Sequence, residues 1–139
     1  MAGIITNLGS EYLLGCGLNG DPASDLTVFL YTNLPDLTVN SVTSDLTEAS
    51  GGGYSGQDVS AGLWVIDTVS TIPTATLSDY VTFNFTGELT GSASVYGYGI
   101  KNSSGVLIGA ENFGTQTPAT DGDYIAVLPT LKLKAGTVS

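Results

Sequence analysis

Apolar positions along this chain come in short bursts, most with the two-residue period of strands rather than the 3.6-residue period of helices. The run at 26–32, Leu-Thr-Val-Phe-Leu-Tyr-Thr, is apolar on both faces, as a strand buried between two layers would be. Within 75–85, Val81, Phe83 and Phe85 alternate with Tyr80, Thr82 and Asn84, which predicts one buried and one wetter face. Residues 93–101 place Tyr96, Tyr98 and Ile100 on one face and Val95, Gly97 and Gly99 on the other. Ser103-Ser-Gly105 then makes a tight connection to 106–113, so the two segments read as a hairpin. Shorter strands are predicted at 54–60 and 63–66, broken at Ala61-Gly62, and at 124–127 and 130–134, the last two a pair or one strand broken at Pro129.

Helical signals are few. Asn7 or Ser10 could cap a turn or two carrying Leu8, Tyr12 and Cys16 on one face, with Gly15 and Gly17 stopping it. Residues 33–53 hold Pro35, Asp36, Asn40, Asp45 and Gly51-Gly-Gly53 and read as a long loop, with one helical turn at 44–49. Loops of that length are functional or packed against something. The three glycines are expected to take positive φ on the way into the strand at Tyr54. Seven or eight strands with turns between them predict an all-β domain over 1–139, a two-sheet, jelly-roll-like sandwich. Residues 1–25 form its N-terminal arm or short helix.

Composition agrees: 19 glycines, 18 threonines and 14 serines accompany few strong helix formers. With 42% apolar and 12% charged residues, the chain is unlike disordered sequences. One cysteine, Cys16, leaves no internal disulfide to form. The first residues carry no basic segment and do not resemble a signal peptide, and no apolar run approaches the roughly 18 residues that span a bilayer. A protein made in a cytoplasm is expected.

Charge narrows the chemistry. The formal net charge is -10, with no histidine, no arginine and three lysines. All three, Lys101, Lys132 and Lys134, follow ten acidic residues in the first hundred. Such a chain repels nucleic acid and anionic membranes. Without imidazole, triad nucleophiles and zinc sites cannot be assembled in their usual forms. No catalytic, cofactor or metal residues are assigned, and an enzyme is not expected. Asp121-Gly-Asp123 has the alternate carboxylates of calcium loops but lacks the distal glutamate, so a surface turn is the better reading. Any of the thirteen carboxylates could pair for glycoside hydrolysis, and sequence elevates none of them. Asn84-Phe-Thr86 and Asn102-Ser-Ser104 fit the glycosylation pattern and are taken as chance. Trp64, Tyr96 and Tyr98 are aromatic surfaces that could stack on sugars or pack against a neighbouring sheet or subunit, the latter more often.

Several segments, in order along nearly the whole chain, resemble small virion proteins of tailed bacteriophages. They are Ile5-Thr-Asn-Leu-Gly-Ser-Glu11, Leu26-Thr-Val-Phe-Leu-Tyr-Thr-Asn33, Asp45-Leu-Thr-Glu-Ala-Ser-Gly-Gly-Gly-Tyr54, Val95-Tyr-Gly-Tyr98 and Asp121-Gly-Asp-Tyr-Ile-Ala-Val127. The resemblance implies a capsid decoration or cement protein, a homotrimer on the capsid exterior that binds the major capsid protein and brings no catalytic residues. The absence of any basic residue before Lys101 departs from that class. Lys101, Lys132 and Lys134, with Tyr96 and Tyr98, are then the candidate docking residues, the lysines facing an acidic neighbour. The alternative is a receptor- or carbohydrate-binding β-sandwich of a phage tail or fibre.

Overall fold

A computed structural model describes residues 3–60, 62–69 and 72–133. Ten strands are described: β1 (Gly3–Ile5), β2 (Leu26–Tyr31), β3 (Gln57–Val59), β4 (Trp64–Val69), β5 (Ile72–Leu77), β6 (Val81–Asn84), β7 (Val95–Lys101), β8 (Leu107–Gln116), β9 (Tyr124–Val127) and β10 (Thr130–Lys132). Eight form one curled sheet in the order β3-β2-β7-β8-β1-β10-β5-β4, and β6 pairs with β9 in a small second sheet. Every neighbouring pair is antiparallel except β1 with β10. The protein is mostly β with one short α-helix among the described residues, α1 (Asn7–Leu14).

β2 behaves as its two-sided pattern predicts. Val28 and Leu30 enter one core, shared with Ile5, Tyr98, Ile100, Ile108 and Leu131, and the small sheet adds Val81, Phe83, Ile125 and Val127 to that same core. Phe29 and Tyr31 point the other way, into a second cluster with Leu46, Leu107 and Ala110. Residues 33–53 cover this second cluster. The loop is tied to β2 by Thr32 N–H donating to the Thr47 carbonyl (2.8 Å) and Ala49 N–H to the Leu30 carbonyl (2.9 Å). Asn33 clasps it from within, its amide donating to the Asp45 carbonyl and its oxygen accepting from Thr47 N–H, both at 2.8 Å. The expected helical turn is there as a single 3-10 turn, Thr43–Asp45. Gly51, Gly52 and Gly53 take φ of 78, 58 and 75°, as the sequence predicts, and Thr86 N–H reaches the Gly52 carbonyl across the loop.

Sequence and structure part at several points. The single strand region at 75–85 is two strands in different sheets, because the chain bends at residues 78–80 to carry β6 across the core. The strand at 54–60 shortens to β3. β1 has no counterpart in the sequence reading. Its three residues gain their strand character only from long-range pairing with β8 and β10. The helix cap is Thr6, whose hydroxyl accepts from Gly9 N–H at 2.9 Å and donates to the Leu107 carbonyl at 2.5 Å, so the cap also fastens the helix to β8. Beyond α1 the chain widens into a π-type turn, Gly15–Asn19, closed by Gly20 at φ 71°. The expected break at Ala61-Gly62 falls partly outside the described residues, since Ala61 is not among them.

Candidate docking surface

The five candidate docking residues do not form one surface. Tyr98 is 2% exposed and belongs to the core; its hydroxyl accepts from Thr130 N–H (3.0 Å) and donates to Glu111 Oε1 (2.9 Å), and burial raises its pKa well above the usual tyrosine value. It is unavailable for stacking on a ligand. Nor does it share a face with Tyr96, which is half-buried against the second cluster. The β7–β8 register is irregular between Val95 and Gly97, so the alternation assumed from sequence breaks there and Val95 joins the core of Tyr98. Gly97 and Gly99 do mark a close approach, as their spacing suggests: a Cβ on either would strike Tyr31 or Phe29. Trp64 is half-buried against the main core.

The lysines differ as well. Lys101 is engaged, its Nζ 2.9 Å from Glu48 Oε2 and 4.9 Å above the Phe29 ring. Glu48 Oε1 accepts from the Tyr54 hydroxyl at 3.1 Å, so this pair secures the long loop rather than awaiting a partner. Lys132, on β10, is exposed. Lys134 lies outside the described residues.

Patterning did not reveal the largest exposed apolar feature. Leu13 and Leu14 of α1, Ile66 of β4, Ala75 of β5, and Leu131 and Leu133 line a groove of about 430 Å³ with few polar groups. It arises because α1 docks through Gly9, against the Ile108 backbone, which leaves leucines of the helix facing outward. Val65 and Ile66 of β4 are 58% and 69% exposed. Lys132 sits between two groove residues, on the opposite face of β10. Exposed apolar area gathered in this way marks surfaces that meet other chains.

A second concavity, about 480 Å³, lies between β8 and β9, with Glu111, Phe113, Gln116 and the 66%-exposed Tyr124 in its lining. Burial raises the Glu111 carboxyl above its ordinary value of 4.5, and the Tyr98 hydroxyl bond offsets this in part. Folding therefore favours the protonated acid. The stability this contributes is complete below pH 4.5 and is lost as pH rises through the higher folded value. Glu111→Gln cannot ionise, so its melting temperature relative to wild type should climb between pH 4.5 and neutrality; an unchanging difference over that range would contradict the assignment.

The remaining motifs settle into turns. Asp123 Oδ2 accepts from Ala119 N–H (2.8 Å) and Thr120 N–H (2.9 Å), bonds that hold its carboxyl below the usual range and make it the cap of its own turn. Asn102 Oδ1 accepts from Ser104 and Val106 N–H in the β7–β8 connection. Among the described residues no three His, Cys, Asp or Glu side chains cluster as metal ligands. Comparison with protein-family models, curated proteins and solved structures finds no match to this chain.

Proposed function

We propose that the chain is a structural virion protein of the capsid decoration or cement class, made in the host cytoplasm, which binds the major capsid protein on the outer surface of a phage head and stabilises it without catalysis. The observation that carries this reading is the exposed apolar groove at the β4–β5–β10 end of the large sheet. Lys132 stands on the other face of that end, on a chain whose charge is otherwise nearly all acidic. Apolar area provides the attraction, a lysine suits an acidic neighbour, and the carboxylates elsewhere keep coated particles apart. Many equivalent sites on a lattice let modest contacts add through avidity. We also read the two sheets as the unequal layers of a jelly-roll-like sandwich, supported by the core that Val81, Phe83, Ile125 and Val127 share with the large sheet.

Purified particles test the reading. The protein should be present at on the order of hundreds of copies, as occupancy of a symmetric lattice requires. Lys132→Glu should weaken rebinding to stripped particles by roughly two- to tenfold. Absence from particles, or a handful of copies, would remove the proposal. The competing role, saccharide binding, has its best footing in the β8–β9 cleft, and glycan binding abolished by Tyr124→Ala would favour it instead.

A further inference from the structure

The large sheet ends in two unlike edges. On one side β3 is three residues long, and the carboxylate of its central residue, Asp58, accepts from the Thr27 hydroxyl on β2 at 2.8 Å. Shortness and an edge charge are the usual means of blunting a strand against further pairing. On the other side β4 has six residues, all six paired with β5, and no described strand on its outer edge. It carries one charge, Asp67, and exposes Val65 on one face and Ile66 on the other. Its outward N–H and C=O groups meet only water, beside apolar side chains that gain by leaving it.

We propose that the outer edge of β4 pairs with β4 of a second copy of this chain, antiparallel about a two-fold axis, joining two eight-stranded sheets into one of sixteen. The strand is self-complementary in the register centred on Ile66. Ile66 then faces its counterpart, Trp64 faces Thr68, and Val65 faces Asp67, so no like charges stand opposite each other. With the axis perpendicular to the sheet, both groove faces lie on the same side. Ile66 of each copy stands at the inner end of its own groove, and the two grooves become one continuous apolar floor. A head-to-tail contact of β4 with β3 would pair only three residues and would collide with the Asp58 carboxylate, so the two-fold arrangement displaces the three-fold one expected from sequence. Each copy carries -10, so mutual repulsion opposes the contact and added salt strengthens it. This self-contact stands apart from the capsid reading and holds or fails without it.

Sedimentation equilibrium of the full chain at micromolar concentration tests it. The expected mass is twice the 14.2 kDa of one chain, with tighter association at about 0.5 M salt than at 0.15 M. Ile66→Lys, at an exposed position that leaves the fold intact by circular dichroism, sets two ammonium groups opposite each other and should weaken association by about tenfold or more. Leu34→Lys, on the loop covering the opposite face, should leave it unchanged. A monomer under all these conditions, a trimer, or a dimer indifferent to Ile66→Lys would overturn the proposal.

Discussion

Replacing Phe83 by alanine is expected to lower the unfolding free energy by about 3–5 kcal/mol, the usual result of truncating a fully buried aromatic. Phe83 is 1% exposed and is the innermost aromatic of the small sheet, paired with Ile125 on β9. Its ring stacks on Tyr54, centroids 5.9 Å apart and planes 14° from parallel. Tyr54 in turn accepts from Leu30 N–H at 3.0 Å and donates to Glu48, the carboxylate that holds Lys101. The ring therefore supports the contact between the sheets and, through Tyr54, the end of the long loop. Denaturant titration would measure the loss. Tyr80→Ala, three positions earlier on an exposed side chain, should stay within about 0.5 kcal/mol. A cost for Phe83→Ala below about 1.5 kcal/mol would mean that the small sheet is not packed as a layer against the large one.

How far the sequence carried depended on the range of the interactions that decide each element. β2 and β6 were legible because their side-chain patterns report directly on two-sided and one-sided burial. The hairpin of β7 and β8 was legible because its turn, with Asn102 and Gly105, is local. β1 was not, since Gly-Ile-Ile becomes a strand only between β8 and β10, more than a hundred residues away in the chain. The division of 75–85 was missed because alternation continues through a bend that only the destination of β6 explains. Tyr96 and Tyr98 were placed on one face by strict period two, which the register shift before Gly97 breaks. The groove was illegible for a similar reason: its residues come from α1, β4, β5 and β10, and no periodicity links them. Charge arithmetic pointed to the β10 end through Lys132, yet it also selected Lys101, whose commitment to Glu48 depends on how the loop folds back.

Gly9→Ala should destabilise the protein by about 1–3 kcal/mol, although alanine is the better helix former by roughly 1 kcal/mol. Gly9 is the one buried residue of α1, and an added Cβ would overlap the Ile108 carbonyl and its Cα. Those are backbone atoms of β8, held in the sheet, so the helix must move. Its movement strains the bonds that fasten it: Thr6 hydroxyl to the Leu107 carbonyl, Thr6 N–H to the Ile108 carbonyl at 3.0 Å, and Asn7 N–H to the Val39 carbonyl at 2.7 Å. The melting temperature should fall by roughly 3–10 °C for a domain of this size. Ser10→Ala gives the comparison, since it gains helix propensity on the neighbouring residue without meeting β8, and it should be neutral or slightly stabilising. Because Leu13 and Leu14 follow the helix, Gly9→Ala should also open the apolar groove, read as increased binding of an apolar dye under native conditions. A variant that melts like wild type would show that α1 shifts on β8 at no cost, and the groove it borders would then be a yielding surface rather than a built one.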